Sequence, residues 1–300
     1  MEQSKKIWMD GKLVKWKDAK IHVLTHTLHY GAGVFEGIRF YRTDDGSAVF
    51  RLKDHVERLF YSSKILGMKI PFTMEQISMA VIKTVKANNL KEGYIRPIVY
   101  FGYGNMGVHP KNVPVRCAIA VWSEGMRIAK DALSVKTSKY LRIHPRSTHP
   151  EAKIIGHYVN SILAGQEAHK AGYDEALLLD YKGNVAEGSI ENIFIVKHNR
   201  IYTPSPETIL AGITRNSLIE IAKDEGYKVS EKALALDEVK NAEEAFFCAT
   251  GVEIVAIKKI DSSVIGDGNL GPVTKKLRQL FFDAAHGKIR KYRRWLTYIQ

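Results

Sequence analysis

A chain of 300 residues with 45% hydrophobic and 26% charged side chains is long for one compact domain and comfortable for two, and it falls outside the disordered and low-complexity classes. No apolar run reaches the roughly 18 residues of a membrane span, and Met1 to Trp8 lacks an apolar signal core, so a soluble cytoplasmic protein that engages no membrane is expected. The formal charge of +13 raises nucleic acid as a partner, but the basic residues are spread along the chain without zinc-finger spacing or an RNA-binding sheet signature; no nucleic acid is expected, and the positive field suits small anions.

In chain order, Ile7 to Val14 reads as a hairpin turning at Asp10-Gly11. His22, His26 and His29 then alternate with apolar residues ahead of Tyr30-Gly31-Ala32-Gly33 and Val34-Phe35-Glu36-Gly37. Their spacing fits no common zinc pattern, so no metal is expected, and the glycines suit close backbone approach. Ile38 to Leu52 is a second hairpin with its turn at Asp44-Asp45-Gly46. Lys53 to Leu66 has helical periodicity, with Val56, Leu59, Phe60 and Ser63 on one face; Arg58 there reads, by itself, as an exposed cation. Thr73 caps the next helix, to Asn89, with Gln76 completing a capping box and Ile77, Ala80, Val81, Thr84 and Val85 as its buried stripe.

Tyr94 to Tyr100 is a buried strand carrying Arg96. Arginine in such a run is costly unless paired, so it makes either a structural ion pair or a fork for a substrate carboxylate. Val115 to Trp122 is another strand. Periodicity lapses after it, which sets the expected domains at 1–122, a linker at 123–132, and 133–300. The second half reads as a strand to Thr137, a helix from Tyr158 to Ala171, strands at Ala176 to Asp180 and Ile193 to Lys197, a helix after Leu210-Ala-Gly-Ile-Thr214, strands around Ala249-Thr250-Gly251, and a last helix from Pro272 to Ala285. Hairpins mixed with helices argue for α+β in both halves, since the regular alternation of a doubly wound sheet is missing. Cys117 and Cys248 lie in separate apolar runs and are expected as buried, reduced thiols.

Three runs carry a resemblance. Glu187-Gly-Ser-Ile-Glu-Asn-Ile-Phe194, Tyr202-Thr203 and Leu210-Ala-Gly-Ile-Thr-Arg215 closely resemble the signature of the class IV aminotransferases, the pyridoxal-phosphate enzymes of fold type IV. Within that class, His29-Tyr30-Gly31, Val34-Phe35-Glu36-Gly37-Ile38-Arg39, Tyr94-Ile95-Arg96-Pro97 and Gly107-Val108-His109-Pro110 are similar to the branched-chain amino-acid aminotransferases, and the pattern can be followed along almost the whole chain.

The resemblance implies a two-domain, D-amino-acid-aminotransferase-like α+β fold and pyridoxal 5′-phosphate as cofactor. It also implies amino acids and 2-oxo acids as the exchanging partners, in two half-reactions, and a homodimer or higher homo-oligomer. Lys153 would hold the aldehyde as a Schiff base and then carry the proton at Cα. Glu187 would face the pyridine nitrogen and Tyr158 the ring's phenolic oxygen. Arg58 would pair with the phosphate, together with the amides of Ile213 and Thr214 after Gly212 and the hydroxyl of Thr250. Tyr30, Phe35 and Trp122 would wall the alkyl pocket, with Val108 closing it from the partner subunit. Thr250, Gly251 and Tyr94 would bind the α-carboxylate, and Arg96 the side-chain carboxylate of glutamate. Sister activities of the class (D-amino-acid or R-amine transaminases, aminodeoxychorismate lyase) would share Lys153 and Glu187 and differ in the pocket. Two departures stand out: His157 where many relatives have asparagine, and a linker Trp122-Ser-Glu-Gly-Met126 without the tyrosine that some relatives carry.

Overall fold

The computed structural model describes residues 4–124 and 130–299, and the chain divides into two compact units. The first comprises Met1–Gly125, Ala152–Gly156 and Ala284–Gln300, the second Met126–Glu151 and His157–Asp283. Sequence alone groups 133–300 together. By packing, two of its segments join the first unit instead, and backbone pairing is the reason. The Phe35 N–H donates to the Lys153 carbonyl at 3.2 Å and the Gly156 N–H to the Gly31 carbonyl at 3.1 Å, while Leu296–Tyr298 pairs with Ala48–Phe50. Lys153 therefore belongs to the first unit. The linker expected at 123–132 includes 125–129, which lie outside the described residues.

The first unit is built on an eight-stranded antiparallel sheet. Its long central strand, Gly93–Phe101, pairs with Val115–Trp122 on one side and with Ile38–Thr43 and Gly33–Phe35 on the other. Two helices cover this sheet. Met74–Asn88 begins with the capping box expected from Thr73 and Gln76, and its expected stripe is buried. Leu52–Ile65 buries Leu52, Val56 and Leu59 on the core. Each such side chain contributes about 1.5–3 kcal/mol, which fixes the rotation of the helix. That rotation turns His55, Arg58 and Ser62, spaced three and four residues apart, along one stripe.

The second unit closes a sheet on itself. Strands Ala132–Thr137, Glu175–Leu179, Val185–Gly188, Asn192–Lys197, Glu244–Ala249 and Glu253–Ile260 each pair with the next, and the last returns to the first. Closure leaves these strands without a free edge. Arg200–Thr203 and Lys228–Glu231 extend from the ring. The inward faces carry Val135, Leu177, Ile193, Ile195, Phe247, Val255 and Ile257, all buried. Helices Tyr158–Lys170, Ile213–Asp224 and Pro272–Ala285 complete the α+β arrangement. The short helices His26–Tyr30 and Leu236–Lys240 and the strand Leu296–Tyr298 were not evident from periodicity, being only five, five and three residues long.

Candidate active site

In the first unit, pairing brings three predicted aromatic residues around one predicted cation, Arg96. Tyr94 lies opposite Trp122 in register, so their rings stack with centroids 5.1 Å apart. Arg96 is two residues on and shares that face. Phe35 enters from the neighbouring strand, opposite Ile98. The Arg96 guanidinium carbon lies 4.8 Å from the Phe35 ring centroid, 5.4 Å from Tyr94 and 5.9 Å from Trp122. Among the described residues its Nε is buried without a hydrogen-bond partner. An unmet buried donor costs about 1–3 kcal/mol, and aromatic faces return only part of that. Of the two options left open for Arg96, the structural ion pair finds no partner among the described residues. Gly37 is required here, because a Cβ would run into the Tyr94 hydroxyl.

Lys153 is pinned by its backbone. Its N–H donates to Ser62 Oγ at 2.9 Å, and Val34 and Ile154 form an isolated bridge beside it. Its Nζ lies 5.0 Å from the Phe35 ring centroid, so Phe35 contacts both cations. Arg58, read alone as an exposed cation, is only 12% exposed and grips Glu36 through Nε at 2.6 Å and Nη2 at 2.9 Å. Glu36 also accepts from His55 Nδ1 at 2.7 Å. Burial pushes the Glu36 carboxyl up, but Arg58 and His55 outweigh it and hold it well below the usual carboxylate range.

In the second unit, Glu187 and Asn192 are cross-strand partners. Pairing delivers the Asn192 amide to Glu187 Oε2 at 3.0 Å, and the Leu210 N–H reaches the same oxygen at 3.2 Å. Arg142 donates through Nε to Oε1. This buried carboxylate is thus met by a guanidinium and two neutral donors. Asn192 also donates to the Leu210 carbonyl at 2.9 Å, fixing the turn into helix Ile213–Asp224. Gly212 precedes that helix without a side-chain cap, and a Cβ on it would strike Asn192 Oδ1. Ile213 and Thr214 thus open a twelve-residue helix with their amides uncapped by any side chain at Gly212. Tyr158 is the first residue of its own helix, and Thr250 and Gly251 form the turn between Glu244–Ala249 and Glu253–Ile260.

Residues 33–260 match the amino-transferase class IV family. A branched-chain-amino-acid aminotransferase of Pseudomonas aeruginosa is 47% identical, with 98% of this chain and 97% of that protein covered. The chain belongs to the class IV aminotransferase family, among its branched-chain aminotransferases. The crystal structure of a T.th. branched-chain amino acid aminotransferase complexed with N-(5′-phosphopyridoxyl)-L-glutamate superposes with a TM-score of 0.97 at 42% identity. The same enzyme complexed with 4-methylvaleric acid gives 0.96 at 42%, and in both cases all of both chains is covered.

Other class IV positions also fall on identifiable supports. Tyr30 ends helix His26–Tyr30 and donates its hydroxyl to the Met106 carbonyl at 2.7 Å, while Val108, two residues beyond Met106, is 78% exposed. Of the clustered histidines, His26 Nε2 lies 3.0 Å from the Gly107 carbonyl and His29 Nε2 2.8 Å from the Val23 carbonyl. His157 lies 2.7 Å from Thr148 Oγ1. Of the tyrosine-free linker, Gly125 and Met126 lie outside the described residues; Glu124 accepts from Trp122 Nε1 at 3.1 Å. Sequence reasoning assigned no role to Glu36, His55, Ser62, Arg142 or Asn192. Glu36 and Asn192 stand inside the quoted motifs and His55 three residues before Arg58; Arg142, 45 residues from Glu187, has no local signal.

Proposed function

We propose that this chain is a pyridoxal-phosphate-dependent branched-chain amino-acid aminotransferase, exchanging the amino group between L-leucine, L-isoleucine or L-valine and 2-oxoglutarate. The observation that carries the reading is Arg96: a cation with an unmatched buried Nε, walled by Phe35, Tyr94 and Trp122. Such a pocket suits two kinds of side chain. Alkyl groups pack on the rings, and the carboxylate of glutamate meets the guanidinium. The T.th. relative is described with both an alkyl acid and a glutamate adduct.

The donor sets fit the cofactor. The Glu187 carboxylate, held by Arg142, suits a pyridine nitrogen, and the helix opening at Ile213 after uncapped Gly212 suits a phosphate. When bound, pyridoxal 5′-phosphate supplies an electron sink for the substrate's Cα–H bond. Lys153 would hold the aldehyde through Nζ, and its amine would carry the proton at Cα. Glu187 would keep the ring nitrogen protonated, with Arg142 and Asn192 holding the carboxylate in place. Tyr158 would donate to the phenolic oxygen. Arg58, Ile213, Thr214 and Thr250 would hold the phosphate. Thr250, Gly251 and Tyr94 take the α-carboxylate, and Tyr30, Phe35, Trp122 and Val108 exclude water from the alkyl side.

A homodimer accords with the exposure of Val108 and Tyr30, 78% and 44% in the single chain. A cytoplasmic setting accords with two buried free thiols, Cys117 being pushed up by burial to about 12. No helix among the described residues is long and apolar enough to cross a membrane.

The test is a visible spectrum of the purified holoenzyme before and after L-leucine. The lysine-bound cofactor band should give way to the shorter-wavelength band of the aminated cofactor. A band that ignores L-leucine but responds to a D-amino acid would move the activity to a sister member of the class.

A further inference from the structure

Glu36 has no part in the chemistry above, yet it is the most completely buried carboxylate of the first unit, with 0% exposure. Its two oxygens accept four hydrogen bonds: from Arg58 Nε at 2.6 Å and Nη2 at 2.9 Å, from His55 Nδ1 at 2.7 Å and from the Gly37 N–H at 3.2 Å. A guanidinium is planar and rigid, so two bonds along one edge fix the direction of the whole fork. Lysine at position 58 could not be held this way. His55 and Arg58 sit three residues apart on helix Leu52–Ile65, and both point at the same carboxylate.

We propose that Glu36 is a positioning residue for the cofactor phosphate: it clamps the Nε–Nη2 edge of Arg58 and so aims the remaining edge of the guanidinium, while His55 locks the clamp. This rests on the reading of Arg58 as the phosphate-binding arginine. The charge state suits the role. Burial pushes the His55 imidazole down; Glu36 opposes that, and the nearby Arg58 and Lys153 charges push it down further. A neutral imidazole donates one N–H to Glu36 and adds no positive charge beside Lys153.

The experiment compares two ligands of the full-length chain freed of cofactor: pyridoxal 5′-phosphate and pyridoxal, which lacks the phosphate. Binding is followed by absorbance in the wild type, Glu36→Gln, Arg58→Ala and the double variant. Glu36→Gln should weaken pyridoxal 5′-phosphate about tenfold or more, the scale of one charge-assisted hydrogen bond, and leave pyridoxal within about twofold. Arg58→Ala should do the same, and adding Glu36→Gln to it should cost nothing further, as coupled residues require. Equal losses for both ligands in Glu36→Gln, or additive losses in the double variant, would overturn the positioning role while leaving the proposed function intact. A wild-type chain that binds neither ligand would remove the proposed function and this role with it. Thermal unfolding checks each variant. If Glu36→Gln does not fold, Glu36→Asp keeps the charge but shortens the reach, and it should show the same phosphate-selective loss; an unselective loss there refutes the clamp.

Discussion

Arg96 holds its guanidinium 4.8 Å from the ring centroid of Phe35, a cation laid on an aromatic wall, and it forms no salt bridge among the described residues. A hydrogen bond to a charged group contributes about 1.5–3 kcal/mol, so a substrate carboxylate meeting this fork gains one or two such bonds and an alkyl side chain gains none. Arg96→Ala should therefore lower kcat/KM for glutamate by about a hundredfold and leave leucine within severalfold. Single-turnover rates with each amino acid decide it, and equal losses would count against a pocket shared by both side chains.

Lys153 owes its place to main-chain bonds to Ser62 and Phe35. Lys153→Ala keeps those bonds and removes only the side chain that ends in Nζ. The variant should unfold at nearly the wild-type temperature, yet show no steady-state turnover. Substantial residual turnover would refute the role of Nζ.

Glu187 joins a proposed role at the cofactor to a structural one opposite Arg142. Glu187→Gln removes the charge opposite Arg142, which is itself buried. An uncompensated buried charge is costly, about 3–5 kcal/mol for a deeply buried pair, so the melting temperature should fall. Cofactor should still bind, and proton abstraction from Cα should slow markedly. Combining Glu187→Gln with Arg142→Met should restore stability but not rate. An unchanged rate in Glu187→Gln would defeat the pyridine assignment.

Much of this was legible in the sequence because local rules agreed with the fold. The turn at Asp10-Gly11, where both residues have positive φ, the capping box at Thr73 and the strand around Arg96 each follow from a few adjacent residues. The lysine and glutamate candidates came from motif resemblance. What stayed hidden were partnerships across long separations. Glu36 meets Arg58 only because a strand end and a helix face pack together, and Arg142 meets Glu187 only because both lie beside the strand Glu175–Leu179, where the Arg142 N–H donates to the Leu179 carbonyl and Glu187 pairs with Leu178. The grouping of Lys153 with the first unit was hidden for the same reason, since a five-residue excursion carries no periodicity of its own.

Gly212 offers a test of the helix opening. Its φ of −66° is open to any residue, so only space forbids a side chain. A Cβ there strikes Asn192 Oδ1 and displaces the amide that serves both Glu187 and the Leu210 carbonyl. Gly212→Ala should destabilise by about 1–3 kcal/mol, as overpacking does, and should weaken cofactor binding. Gly172, where an added Cβ would meet nothing within 4 Å but φ is +81°, is the contrast: Gly172→Ala should cost stability through backbone strain alone and leave cofactor binding unchanged. Denaturant midpoints and cofactor titration separate the two.

The buried network of Glu36 and His55 also sets an acid limit. Burial drives His55 below its ordinary 6.5, while the Arg58 guanidinium and the His55 N–H hold Glu36 below its ordinary 4.5 against the opposing effect of burial. In both cases the unfolded chain binds protons that the folded chain refuses, so stability rises with pH wherever these groups titrate in the unfolded state. Their contribution is complete above about pH 6.5 and is lost on acidification, first as unfolded His55 charges and then, below the ordinary carboxylate value, as unfolded Glu36 takes up its proton. Thermal unfolding of the wild type should shift downward from about pH 7.5 to about pH 5, and His55→Gln, which removes the first titration, should flatten that interval while leaving the steeper loss below about pH 4.5. A His55→Gln profile parallel to the wild type across the same interval would show that His55 binds protons equally well folded and unfolded, and its lowered proton affinity beside Arg58 and Lys153 would have to be given up.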